Sequence, residues 1–202
     1  MVANENSQHQ AVMAAYSSPM VDIDSLLGSQ ISPQDPDRAV IEPWAATVDG
    51  SILDVGSGTG RWAGHLADLG YQIEGLEPAD RLIQLARERF PHVVFHHGAI
   101  DDLAGTSTRW GGILSWYSTI HLEPVQLPDT LRILRSVLKD DGLLLMSLFT
   151  GPQLAAFAHP IATAYLWPMA QKVRLLTQAG FEVLEQHSNP QTPHAYICAR
   201  AV

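Results

Sequence analysis

From Ser51 onward, short apolar stretches alternate strictly with amphipathic stretches of helical period, and no other feature restricts the fold as strongly. Ser51–Val55, Tyr71–Leu76, Val93–His97 and Gly112–Trp116 read as strands. Arg61–Leu69, Ala79–Phe90 and Pro128–Lys139 read as the helices between them, the last closed by Asp141-Gly142. Leu143–Phe149 reads as a strand covered on both faces. Such alternation gives a mostly parallel sheet with right-handed crossovers. Near the C-terminus a helix over Gln171–Ala179 precedes two strands, Phe181–His187 and His194–Arg200, joined by a Ser-Asn-Pro turn. So short a connection forces an antiparallel hairpin. Seven strands are expected in all.

Two segments lie outside the alternation. Ser7–Tyr16 reads as a short helix and Ser17–Pro36 as an irregular linker. A helix beginning near Asp35-Pro36-Asp37 is expected to run to about Thr47, presenting Val40, Ile41 and Trp44 on one face. Residues 150–169 carry Pro152, Pro160 and Pro168, and follow a strand's C-terminal end, the side where open α/β sheets bind ligands. The expected organisation is an N-terminal helix and lid over 1–37 and a cofactor-binding domain over 38–202, with the 150–169 insertion over the active site.

The net charge of −9 and the lack of any Lys/Arg cluster argue against a nucleic-acid or membrane-surface partner. One cysteine, Cys198, fits a reducing compartment. The polar start MVANENSQHQ has no basic stretch of a signal peptide, and no apolar run approaches the ~20 residues that span a bilayer. A cytoplasmic protein is expected.

Ile52–Trp62, ILDVGSGTGRW, is the strongest chemical signal. A strand runs into Gly56-Ser57-Gly58-Thr59-Gly60 and a helix begins at once. Glycines allow a sharp turn and close approach to a ligand, and the helix start offers free N–H groups. Glu77, at the end of the next strand, can accept both hydroxyls of a ribose; the alternative is a solvated acid. A dinucleotide site wants G-x-G-x-x-G, but here the third glycine comes one residue early, at Gly60, and Arg61 stands in its place.

LDVGSGTGRW, the downstream acid and the terminal hairpin resemble the class I S-adenosylmethionine-dependent methyltransferases of small-molecule type, over roughly Arg38 to Val202. The resemblance implies a Rossmann-like doubly wound seven-stranded sheet of order 3-2-1-4-5-7-6 with the last strand antiparallel. It implies S-adenosyl-L-methionine as cofactor and a small-molecule acceptor, with no metal. Gly56, Ser57, Gly58 and Gly60 match the motif around the methionine part, and Glu77 the ribose-binding acid. Pro78 and Leu82 match packing near the adenine, framed also by the backbone of Ala99 and Ile100 in HHGAIDDL. Many relatives have Asp where Ala99 stands, a contact that Asp101 or water would replace. Ser115, Trp116 and Tyr117 end the fourth strand beside the sulfonium, and Tyr16 belongs to the lid. Arg38 matches an arginine that pairs with the cofactor carboxylate; its alternative is an ion pair with Asp35 or Glu42.

His121 and Tyr117 are the candidate catalytic residues. His121 suits a general base near neutrality, or else serves packing and loop closure. His159, Tyr165 and Trp167 are candidate substrate-pocket residues, or anchors of a long loop. The chain lacks the Asp/Asn-Pro-Pro-aromatic run of adenine and glutamine N-methyltransferases and the cysteine of cytosine-carbon enzymes. The expected function is methyl transfer to an oxygen, nitrogen or carbon of a small molecule. The alternatives are a non-catalytic S-adenosylmethionine-binding protein and, less favoured, a nicotinamide-dependent oxidoreductase.

Overall fold

A computed structural model describes residues 11–18, 22 and 28–202. The elements are α1 (residues 11–17), α2 (Arg38–Ala45), β1 (Ile52–Val55), α3 (Arg61–Asp68), β2 (Ile73–Glu77), α4 (Asp80–Arg89), β3 (Val94–His97), a 3-10 turn (Ile100–Leu103), β4 (Trp110–Ser115), α5 (Leu127–Ser136), β5 (Leu138–Thr150), β6 (Ala155–Ala158), β7 (Thr163–Trp167), α6 (Met169–Gln178), β8 (Phe181–Ser188) and β9 (His194–Ala201). Residues 7–10 of the expected first helix, and residues 19–21 and 23–27 of the expected lid, lie outside the described residues.

The strands β3-β2-β1-β4-β5 pair in parallel, β9 joins β5 antiparallel, and β8 joins β9 antiparallel. Counted along the expected seven strands this is the order 3-2-1-4-5-7-6. The sheet has nine strands because the insertion is itself a hairpin. β6 and β7 pair antiparallel, and β7 adds in parallel to Phe149 and Thr150 at the end of β5. The hairpin therefore extends the sheet rather than forming an irregular loop. Its prolines are compatible with this, since Pro152, Pro160 and Pro168 all fall outside the strands.

Alternate strand residues feed two cores, one on each face. Leu53, Val55, Leu144, Met146 and Leu148 pack with Leu127, Leu131 and Leu134 of α5 and Leu176 of α6. Ile52 and Leu145 pack on the other side with Ile41 and Trp44 of α2, Trp62 and Leu66 of α3, and Ile83 of α4. Helix α5 ends earlier than its leucine spacing suggests. The chain resumes pairing at Leu138, opposite buried Trp110, and makes its turn at Asp141 with φ 60°. Among the described residues no helix is long and apolar enough to cross a membrane.

Candidate active site

The C-terminal ends of β1, β2, the 3-10 turn and the loop after β4 face one cavity of about 570 Å³, closed on one side by Val12, Met13 and Tyr16 of α1. Gly56, Gly58 and Gly60 all have left-handed backbones, with φ of 67°, 58° and 78°. A Cβ on Gly56 would stand 2.5 Å from Ser118 Cβ, so the turn needs glycine for space as well as conformation. Gly56 N–H and Ser57 N–H both donate to Leu76 O, at 2.8 and 3.0 Å, which pins the turn to β2.

Glu77 is buried beside this turn. Its Oε2 accepts from Gly58 N–H and its Oε1 from Ala79 N–H, each at 2.8 Å. Burial outweighs these bonds and pushes the carboxyl up to about 7. Asp54, inside β1, is also buried; desolvation and then the charge of Glu77 push it up to about 7, against the pull of Arg61. Two high-pKa carboxyls thus share one end of the cavity, an arrangement typical of functional sites.

The opposite wall comes from the end of β4. Trp116 Nε1–H donates to Asp37 Oδ2 at 2.7 Å, tying the start of α2 to the cavity. Tyr117 N–H donates to Ser147 Oγ at 2.7 Å. His121 Nδ1 lies 2.9 Å from Thr163 O, an acceptor only, so Nδ1 carries the proton. Its Nε2 then accepts from Tyr16 O–H at 3.0 Å. Burial lowers the imidazole pKa and keeps it neutral, while burial of the Tyr16 phenol, then the charge of Glu77, raises its pKa.

Of the residues expected around a cofactor, Tyr16, Gly56, Ser57, Gly58, Glu77, Pro78, Leu82, Ala99, Ile100 and Trp116 line the cavity, as do Tyr117 and His121. Three do not. Gly60 is the left-handed start of α3 and is packed under Phe95, whose ring a Cβ would meet at 2.7 Å. Ser115 is fully buried behind the wall, sharing a 2.7 Å hydrogen bond with Ser118 Oγ. Arg38 is turned away: its Nε donates to Glu42 at 2.6 Å, with His65 on the same carboxylate oxygen at 2.8 Å.

The insertion also differs from expectation. Trp167 is buried in the core, and Tyr165 packs half-buried against that core with its N–H on Ile120 O at 3.1 Å. His159 stands behind His121, ring centroids 5.0 Å apart. None of the three lines the cavity. The hairpin instead supports His121 through Thr163.

Sequence reading missed Asp54, Arg61 and the wall formed by Leu122, Val125, Gln126, Asp129 and Thr130. Asp54 was discoverable as an acid in an otherwise apolar strand, where an unpaired charge is costly. The α5 wall carries no such signal.

The sequence matches the family described as "Methyltransferase domain" over residues 30–197, more than half of the chain. The chain belongs to that family. A dTDP-3-amino-3,6-dideoxy-alpha-D-glucopyranose N,N-dimethyltransferase of Streptomyces fradiae is 32% identical to this methyltransferase domain over 105 residues, 51% of this chain and 41% of that protein. An uncharacterized methyltransferase of Alkaliphilus oremlandii is 28% identical over 98 residues, 48% of this chain and 45% of the other. The matches thus span less than half the length of these relatives. Among solved structures, the Burkholderia thailandensis 1,6-didemethyltoxoflavin-N1-methyltransferase, bound to 1,6-didemethyltoxoflavin and S-adenosylhomocysteine, superposes with a TM-score of 0.74 at 18% identity, covering 98% of this chain and 90% of that one. The glycopeptide N-methyltransferase MtfA complexed with S-adenosylhomocysteine gives 0.69 at 16% identity, with 92% and 99% covered. Both likenesses are of fold.

Proposed function

We propose that this methyltransferase domain binds S-adenosylmethionine and transfers its methyl group to a small-molecule acceptor. The observation that carries the reading is the glycine turn hydrogen-bonded to buried Glu77 at one end of the cavity. Each Glu77 oxygen takes one backbone N–H and keeps further acceptor capacity, enough for the two hydroxyls of a ribose. Pro78, Leu82 and Ile100 supply the apolar edge suited to an adenine, with Asp101 alongside. Asp54 and Glu77 place negative charge where a cation would sit. Arg61 lines the cavity and, although its Nη1 lies 3.4 Å from Asp35 Oδ2, is the guanidinium on that wall that could meet a carboxylate. When bound, S-adenosylmethionine supplies an electrophilic methyl on sulfur.

The Tyr16–His121 hydrogen bond holds α1 against the cavity. The cavity of about 570 Å³ has room for a cofactor and only a small acceptor beside it. Its lining carries Asp54, Glu77, Asp101 and Asp129 against Arg61, which disfavours polyanions. The Streptomyces fradiae, Burkholderia and glycopeptide relatives are all named N-methyltransferases, so nitrogen is the acceptor atom these likenesses favour. The low cysteine content supports a cytoplasmic setting.

Calorimetric titration tests the reading. Micromolar or tighter binding of S-adenosylhomocysteine is expected, with no comparable binding of NADH; the reverse pattern sinks it. Because Arg38 is engaged by Glu42, Arg38→Met is expected to leave S-adenosylhomocysteine affinity within about twofold. Arg61→Met should weaken it about tenfold or more, as loss of a charged hydrogen-bonding group does. A strong effect of Arg38→Met with none from Arg61→Met would reverse the assignment.

A further inference from the structure

The loop after β4 is held by the inserted hairpin at two neighbouring residues. Tyr165 N–H of β7 donates to Ile120 O at 3.1 Å, and His121 Nδ1–H donates to Thr163 O at 2.9 Å. The hairpin thus fixes both the backbone of this loop and the direction of the imidazole. A carbonyl oxygen only accepts, so the chain of bonds has a single polarity. Nδ1 carries the proton, Nε2 accepts, and the Tyr16 hydroxyl commits its hydrogen to Nε2 at 3.0 Å. What remains to the Tyr16 oxygen is acceptor capacity alone.

That oxygen belongs to the cavity. Tyr16 and His121 both line it, and His121 is only 8% exposed, so their bond does not lie on the outer surface. The Tyr16 ring packs with Met13 against Ala79 and Leu82 at the start of α4, while its hydroxyl meets the loop after β4. The side chain therefore crosses from the Glu77 end to the opposite wall, and the charge of Glu77 reaches the phenol. The cavity lining sets Asp54, Glu77, Asp101 and Asp129 against Arg61, a balance that suits a basic acceptor.

We propose that Tyr16, its hydroxyl oriented by His121 and Thr163, selects a methyl acceptor whose nitrogen carries hydrogen, a primary or secondary amine, by accepting a bond from that N–H. The inference rests on the transferase reading above and on the nitrogen preference given there. An amine held by one N–H keeps its electron pair free for the methyl. A tertiary amine with a free electron pair has no hydrogen to offer Tyr16, so methylation stops at the tertiary amine and no quaternary ammonium forms. Tyr16 touches the acceptor, while His121 and Thr163 are positioning groups that act through it.

Nitrogen-15 spectra of the histidine-labelled protein read the polarity without any acceptor. His121 should be protonated on Nδ1 with Nε2 accepting, and the Nε2 signal should shift in Tyr16→Phe. Transfer is read with methyl-labelled S-adenosylmethionine and a small-molecule cell extract, and S-adenosylhomocysteine is the binding probe. Tyr16→Phe keeps the ring packing and the bond from Arg81 to Ser18 O at the end of α1, so binding should stay within about threefold. Transfer should fall about tenfold, the size of one hydrogen bond. His121→Ala should lose less, because the hydroxyl is present but free to turn. The double variant should be no worse than Tyr16→Phe alone, as for groups that act as one unit. Mass spectrometry should find the label in secondary and tertiary amines only. An Nε2-protonated His121, label on oxygen, carbon or a quaternary nitrogen, or additive losses in the double variant would each overturn the assignment. So would a wild type that binds the probe and transfers nothing, or probe affinity that falls in step with transfer, which would make the pair a latch for α1. A wild type that fails to bind S-adenosylhomocysteine would overturn the transferase reading instead, and the spectra would still decide the polarity of the chain.

Discussion

Glu77→Ala is expected to weaken S-adenosylhomocysteine binding by about 10²- to 10⁴-fold, the loss of two charged hydrogen bonds worth ~1.5–3 kcal/mol each. The substitution also strips the acceptor from Gly58 N–H and Ala79 N–H, so the turn itself loosens. The melting temperature should fall by about 2–4 °C for each kcal/mol lost. Affinity should depend on pH in a defined direction. Ribose hydroxyls donate best to the carboxylate, and burial holds the free carboxyl at about 7. Binding therefore tightens as pH rises from about 6 to about 8, with a proton released, and levels off above that. The ligand-free fold shows the opposite trend. With folded pKa values above the ordinary range, Glu77 and Asp54 bind protons more tightly folded than unfolded, so their contribution to stability falls as pH rises from about 4 to about 7. Titrations across this range decide the matter: a flat affinity profile, or an unchanged dissociation constant in Glu77→Ala, removes Glu77 from the site.

The parts of this site that were legible in the sequence are those whose geometry is local. Gly56 and Gly58 lie in one turn, and Glu77 is one crossover away, so the alternation of strand and helix brings them together. For Arg38 the sequence leaves two readings, a cofactor carboxylate or an ion pair with Asp35 or Glu42, and the structure shows the pair with Glu42, four residues on along the same helix. Tyr16 and His121 are 105 residues apart, and Tyr117 and His194 are 77 apart; these pairings depend on how α1 and β9 dock. The insertion was misread because its three prolines signal irregularity, although they punctuate a hairpin whose strands lie between them. Trp167 is a pocket candidate only because it lies in the insertion, with anchoring of that segment as the alternative, and its large side chain is buried in the core.

Lys172→Met is expected to stabilise the fold by about 1–4 kcal/mol at pH 7, as replacement of a buried charge by an apolar side chain commonly does. Lys172 lies on α6 and is only 1% exposed. Its Nζ sits 4.7 Å above the Trp167 ring, and burial, with no opposing contribution, lowers the ammonium to about 7. The cation–π contact recovers ~0.5–2 kcal/mol, less than the cost of drying the charge. The pH dependence gives the residue a signature of its own. A lysine that titrates at about 7 when folded and about 10.4 when unfolded is neutral in the fold over a range where the unfolded chain still holds its proton. The unfolded state then binds more protons, so stability rises with pH from about 7 to about 10.4 and is lost again as pH falls. Methionine has no proton to gain, and its flexible thioether fills nearly the same space. Thermal unfolding of both proteins at pH 7 and pH 10 separates the possibilities. A higher melting temperature at pH 7 together with a flatter pH profile supports a buried, uncompensated lysine. A lower melting temperature with the wild-type profile retained would mean that Lys172 remains charged in the fold and that Trp167 is partner enough to hold it there.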